Sequence, residues 1–490
     1  MRKETYHELR QRKYLTSLLS HKQNEERPVI LIQWSRQKSL YIKGKQALSH
    51  HNTVFAQFLK FIPRHVFESL ASEHHEGRKL RKISRWLQFV SLSMAQLTGR
   101  ESLRDIVSNL SAQSHKLYHL GGRTVTRSSL ARVNERQPYT LYESLFSKLL
   151  AHCQGVAPKH GFRFKNKLYS LDASTIDLCL SVFPWAEFRS TKAAVKLHMG
   201  LDHDGLIPAF LTITDGKAHD ITAARALKLP KHSIVVMDRG YTDYSWYNHL
   251  NNSKIFFVTR LKKNARYRVV ERRGVRRSTG VTSDQTIELT GAKAELCPIP
   301  LRRVGYKDLE SGNQYYFLTN NFKLAASTIA ALYKSRWQIE LFFKWIKQNL
   351  KIKSFVGTSK NALMTQIWIA MCVYLLLAYI KFSSQITGSL QQILRLIQLN
   401  LFERREMKAL LRGDPPPPEI SPNQTRLIFS WKFMGQQWFC IIKEFLIKFF
   451  WKTFLAFIFM RLSPHQRRFF VLPYATDARI LQRLAQRRRL

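Results

Sequence analysis

Three acids stand apart in a chain that has few of them. Asp172 lies in the run YSLDAST, Asp238 closes IVVMD and is followed at once by Arg-Gly-Tyr, and Glu340 sits in YKSRWQIELFFKWIKQNL. The first two fall on short runs, of a set rich in Val, Ile, Phe and Thr, that read as strands. The carboxylate of Asp238 would sit at a strand's carboxyl edge, where open α/β sheets place their sites. Asp177, Asp202, Asp204, Asp215, Asp220 and Asp243 compete for the same role; each taken alone reads as a turn or helix-cap aspartate, with Asp220 as an N-cap.

Glu340 is distinguished by its company. Tyr333, Arg336, Glu340 and Lys347 follow the spacing Tyr-x2-Arg-x3-Glu-x6-Lys. At about 100° per residue they share an arc about 60° wide, with Lys344 about 20° beyond it. Leu332, Ile339, Phe343, Ile346 and Leu350 gather on a separate apolar stripe for the sheet. Solvated helix faces mix both signs for i,i+4 pairing. One carboxylate between an aromatic hydroxyl and three cations is better explained by a metal ion and a phosphate backbone meeting there. Three carboxylates from two strands and a helix can hold two divalent ions. In phosphodiester chemistry one activates a water or 3′-hydroxyl, and the other stabilises the leaving oxygen. The helix cations would neutralise neighbouring phosphates.

The elements that must position these groups are legible from periodicity. Residues 49–155 repeat apolar side chains at three and four, which predicts an all-α unit. Its arginines and lysines (Arg78, Lys79, Arg81, Lys82, Arg85; Arg123, Arg127, Arg132, Arg136) suit a DNA-binding module. From Lys167 the period changes: KLYSLDAST, AVKLHMGLD, GLIPAFLTITDG, HSIVVMDRG and KIFFVTRL read as strands, with helices at HDITAARAL and TDYSWYNHLNN. The order predicts a mixed α/β sheet with covering helices. Residues 265–320 interrupt it with β-rich inserted material. A long helix from about Ala325 to Gln348 follows, then helices at 365–381 and 388–402. Four units are expected: a basic extension over 1–47, a helical DNA-binding domain over 48–158, a catalytic domain over 160–405, and a proline break with a basic, aromatic tail over 406–490.

Composition narrows the function. Lys plus Arg number 79 against 33 Asp plus Glu, a net charge of +46 that calls for a polyanionic partner. At 490 residues with 45% hydrophobic and 23% charged, the chain is globular and too long for one core. Its 5 scattered cysteines argue against a disulfide framework or a Cys-ligated zinc, as in a reducing cytosol. The polar N-terminus lacks a secretory signal. Ile367 to Ile380 is short for a span and suits a buried helix, while Trp438 to Met460 carries Lys443, Glu444, Lys448 and Lys452. No stable membrane association is expected.

These residues resemble the DDE transposases, specifically the insertion sequence four family with its Tyr-Arg-Glu-Lys signature. LDAST, MDRGYTDY and YKSRWQIELFFKWIKQNL carry the resemblance from about Tyr169 to Phe402, and the segment from His50 to about His152 looks like the N-terminal domain of one branch. The resemblance implies an RNase H-like catalytic core with an inserted β-rich domain, and Asp172, Asp238 and Glu340 as ligands of probably two Mg²⁺ ions, with Mn²⁺ as substitute. Tyr333, Arg336 and Lys347 carry over as contacts to the terminal phosphates and a flipped base, and Lys344 beside them joins the DNA contacts. No Trp lies between Trp246 and Trp337 to stack on that base, so Tyr315, Tyr316 or Phe317 would stand in. Water would nick one strand at each transposon end; the freed 3′-hydroxyl would cut the other, often through a hairpin, and join target DNA. Double-stranded terminal repeats and target DNA, a homodimer in the synaptic complex, and a bacterial cytoplasm at the nucleoid complete the expectation. Residues 1–47 and the tail after about 430 have no counterpart in the family frame, as a start placed too early or a frame overrunning its end would produce. The alternatives are a silent DNA-binding relic or repressor, and a structure-specific nuclease on the same fold.

Overall fold

A computed structural model describes residues 52–189 and 192–415. The expected N-terminal extension, the prolines after Pro415 and the aromatic tail lie outside them. Strands β1 (Leu168–Leu178), β2 (Glu187–Arg189), β3 (Lys192–Asp202) and β4 (Ile207–Asp215) lead into β5 (Ile234–Met237) and β6 (Phe256–Arg260). β1 pairs antiparallel with β3 and β3 with β4, while β5 runs parallel to β1 and β6 parallel to β5. The order β4-β3-β1-β5-β6, with three antiparallel strands followed by two parallel ones, is that of an RNase H-like core. All four residues of β5 are buried, as a parallel strand covered on both faces requires. The short β2, on the outer edge of β3, had no reading in the sequence.

The β-rich stretch is present as β7 (Tyr267–Arg273), β8 (Val281–Leu289), β9 (Leu301–Lys307) and β10 (Gln314–Thr319). It does not form a separate sheet. β10 pairs antiparallel with β6, so the insertion continues the central sheet to a ten-stranded one. Backbone groups on the edge of β6 are satisfied in this way.

Helices α1 (Val54–Leu59), α2 (Arg64–Glu73), α3 (Arg85–Thr98), α4 (Leu103–Ala112), α5 (Ser114–Leu117), α6 (Arg127–Arg136) and α7 (Thr140–Val156) precede the sheet. The helices α8 (Asp220–Arg225) and α9 (Tyr244–Asn252) cover one of its faces, and α10 (Ala326–Ser335), α11 (Trp337–Asn349), α12 (Lys360–Ser383), α13 (Leu390–Asn400) and α14 (Met407–Arg412) follow it. The apolar run at 367–380 lies inside α12, which is buried nearly all round and serves as the axis of the helical body. Phe146 of α7 packs edge-on against Trp368, and Asn361 donates to the carbonyls of Asn134 and Gln137. Val54 and Phe55 bond backward to the carbonyls of Glu403 and Leu401. The helices before the sheet therefore share one core with those after it.

Two local readings are corrected. The long helix expected from about Ala325 is two segments meeting at Arg336, where Arg336 N–H bonds Tyr333 and Ile339 N–H bonds Arg336 in tight i→i+3 turns. Asp220 is not an N-cap: His219 holds that position, and the Asp220 carboxylate pairs instead with Lys196 at 2.7 Å. The apolar stripe of Leu332, Ile339, Phe343, Ile346 and Leu350 is buried throughout, as its periodicity required.

Candidate active site

Register puts the two aspartates together. Leu171 of β1 is paired with Met237 of β5, so Asp172 and Asp238 are the next residues along two parallel neighbours, at the carboxyl end of the ladder they share. The helix pair α10–α11 crosses this edge and brings the signature residues over it. Arg336, at the junction, donates from Nη1 to Asp172 Oδ2 at 3.5 Å and from Nη2 to Glu340 Oε1 at 2.5 Å. Tyr333 donates its hydroxyl to Asp238 Oδ1 at 3.2 Å. Lys347, further along the same face, is half-buried and donates to the carbonyl of Thr175 at 2.9 Å, pinning α11 along β1. Lys344 is exposed and beside them. All seven residues singled out in the sequence thus belong to one end of the sheet.

The electrostatics of the cluster are those of excess negative charge. The Asp172 carboxyl is pushed up to about 6, first by burial and further by Glu340 and Asp238; the Ala173 N–H and Arg336 pull the other way. The Tyr333 hydroxyl is pushed up to about 12 by burial and then by Asp238. Among the described residues no three His, Cys, Asp or Glu side chains stand close enough together to hold an ion as placed. Arg336 occupies the space between Asp172 and Glu340, and its Nε is buried without a partner. Mutually repelling oxygen ligands, neutralised by one incompletely bonded guanidinium, match the donor set that hard divalent cations take.

Several neighbours had no functional reading in the sequence. Tyr241, of the Arg-Gly-Tyr that follows Asp238, is buried, and its hydroxyl is pushed up by burial and then by Asp220, Asp172 and Asp238. Lys196 and His198 reach Asp220 from alternate positions of β3, at 2.7 and 3.5 Å. The alternation in AVKLHMG, polar at both positions inside an otherwise buried strand, was the available signal. Of the three stand-ins for a stacking Trp, Phe317 is core, packed between Tyr315 and Tyr333. Tyr316 is exposed on the opposite face of β10 with Arg303 at 4.0 Å. Of the basic run at 266–277, Arg268 pairs with Glu288 and Arg273 with Glu271 and Asp284, whereas Arg266, Arg272, Arg276 and Arg277 are exposed.

An RNase H-like sheet with acids at its carboxyl edge, crossed by a Tyr-Arg-Glu-Lys helix, defines a class of polynucleotide-processing protein. Residues 163–376 match the family described as the transposase DDE domain, and residues 50–123 match a domain of unknown function. A Sinorhizobium fredii protein named as transposase y4zB is 35% identical over 61% of this chain and 82% of its own length. A Geobacillus stearothermophilus protein named as the transposase for insertion sequence element IS5377 is 28% identical over 52% of this chain and 67% of its own. A piggyBac transposase solved in a synaptic complex with hairpin DNA aligns over 76% of this chain and 83% of that one, at 10% identity and a TM-score of 0.37, which is too slight to bear on the argument. The chain belongs to the DDE transposases of the insertion sequence four type.

Proposed function

We propose that the chain cuts DNA at the ends of its own element and joins them to target DNA, with Asp172, Asp238 and Glu340 holding two Mg²⁺ ions. The observation that carries this reading is the single guanidinium of Arg336 shared between Asp172 and Glu340 while Tyr333 is tied to Asp238. When bound, the ions supply an activated water or 3′-hydroxyl and a Lewis acid for the leaving oxygen. Arg336 has donors that suit a phosphate as well as a carboxylate, so its fork can pass from the acids to the scissile strand. Tyr333 orients Asp238 through its hydroxyl and can offer its ring to an unstacked base, with Tyr315 on the same face of β10 as a further surface. Lys344 and Lys347 neutralise flanking phosphates.

The helical segment that ends near residue 158 would hold the terminal repeat, and residues 160–405 would carry the chemistry. The same reading has two chains acting together, each on one end, at the bacterial nucleoid. The test is scission of a labelled duplex carrying the element's own terminal repeat, in Mg²⁺, in Mn²⁺ and in EDTA. Metal-dependent cutting at the boundary followed by joined product is expected. Cutting without joined product would assign a nuclease instead, and binding without cutting in either metal would leave a silent DNA-binding copy.

A further inference from the structure

The helical body carries a second charged feature that shares no residue with the acidic edge. Between α6 and the loop over 76–82 lies a groove of about 630 Å³ whose walls present Arg78, Lys79, Arg81, Lys82, Arg132 and Arg136. Its one acid is Glu76. All six cations are exposed, and no side chain among them makes an ion pair or hydrogen bond. Six like charges facing one groove repel one another, and among the described residues that line it only Glu76 carries the opposite charge.

The loop is held ready. Gln137 donates from Nε2 to the Glu76 carbonyl at 2.7 Å, and Arg123 donates to the Arg81 carbonyl at 2.9 Å. Ile83 is buried and Leu80 packs against the same core, so the chain is fastened by its apolar positions and by its backbone while the basic side chains point outward. On the facing wall Arg132 and Arg136 lie one turn apart on α6, about 6 Å along the helix. Leu130, Val133 and Asn134 bury the other face of that helix. A backbone already fastened in this way pays no further ordering cost when a polyanion neutralises the cations it carries.

We propose that this groove is a docking site for the sugar-phosphate backbone of duplex DNA, gripping by charge and not by base sequence. The inference rests on the reading of the chain as a DNA-processing enzyme and assigns a surface to it. No base-reading role is given to α6, because the six groove groups are long, flexible cations suited to phosphate oxygens.

The test uses the full chain in EDTA, with fluorescence anisotropy on two labelled duplexes, one carrying the terminal repeat and one of unrelated sequence. Lys79→Ala/Lys82→Ala/Arg132→Ala/Arg136→Ala should weaken binding to both duplexes by a similar factor, tenfold or more at moderate salt. The slope of log affinity against log salt should fall by up to about 3.6, at roughly 0.9 for each of the four phosphates no longer neutralised. Arg132→Lys/Arg136→Lys keeps the charge and should bind as the parent does, which separates missing charge from a damaged fold. An unchanged slope in the fourfold variant, with parent binding intact, overturns the groove while leaving the transposase reading untouched. A loss confined to the terminal repeat overturns the backbone assignment. Failure of the parent to bind either duplex brings down both the groove and the broader reading.

Discussion

Arg302 and Arg336 each face carboxylates at the same sheet, yet they are held in opposite ways. Arg302, on β9, is almost fully buried; it bonds both oxygens of Asp284 on β8, from Nε at 2.9 Å and Nη2 at 2.7 Å. Its remaining nitrogen donates to the carbonyls of Asn321 and Leu324, in the turn that leads to α10. All three nitrogens of that fork are bonded, and the pair staples the inserted strands to the start of the signature helices. Arg336 is half-buried, divides itself between two acids, and leaves Nε without a partner. The carboxyls respond accordingly. Burial alone would raise Asp284, but Arg302 and Arg273 hold it below the usual carboxylate range. Asp172 beside Arg336 stands at about 6. A closed arginine–carboxylate pair builds the sheet; an open one with surplus negative charge is free to exchange, as the proposed chemistry at that edge requires.

The largest effect should come from the acids. Asp172→Asn, Asp238→Asn or Glu340→Gln should each lower strand cleavage by about ten-thousandfold or more. Duplex binding should survive. Because Asp172 is held under repulsion and burial, Asp172→Asn should leave the unfolding free energy at neutral pH equal to the parent's or higher. Cleavage persisting in any one of the three variants removes that residue from the assignment.

Arg302→Met should break the closed pair and cost about 3 kcal/mol in urea-induced unfolding, since it leaves a buried carboxylate with only the longer contact to Arg273. Any loss of cleavage should then track the unfolded fraction and recover on cooling. Arg336→Ala should do the reverse, costing clearly less stability than Arg302→Met and cutting cleavage about a hundredfold at temperatures where the chain is folded. If both variants lose stability alike, the contrast between a structural and an exchangeable arginine fails.

The open site was legible in advance and the closed pair was not, for a physical reason. Asp172 lies within a strand, Asp238 directly after one and Glu340 on a helix face, where local periodicity already says which way a side chain points. The same held for the buried stripe through Ile339 and Ile346. Asp284 and Arg302 become partners only through the pairing of β8 with β9, which a basic, Thr-rich stretch does not announce. The same non-locality hid the pairing of β10 with β6, and the gathering of the first seven helices around α12. It hid the role of Asp220 as well, because Lys196 lies across a strand connection and not in the next helical turn. The split at Arg336 was hidden for a different reason: no Gly or Pro marks it, and the residue's own bonds to Asp172 and Glu340 accompany the tightened turn.

The smallest effect separates the two centres by pH. A carboxyl whose folded pKa is depressed contributes stability that is fully present above its unfolded value, about 3.9 for Asp, and that is lost as pH falls through the folded value. Asp284 is of this kind, held down by Arg302 and Arg273 against the opposing effect of burial. Unfolding free energy measured from neutral pH down to the acid limit should therefore fall on acidification below about pH 4, and part of that slope should vanish in Asp284→Asn. Asp172 has the opposite sign: with its folded value near 6, it costs stability as pH rises from about 4 to above 6. Asp172→Asn should remove that cost and leave the acid slope of Asp284 intact. An acid slope unchanged by Asp284→Asn would mean that the buried fork of Arg302 holds a neutral acid, and the distinction between closed and open pairs would then rest on geometry alone.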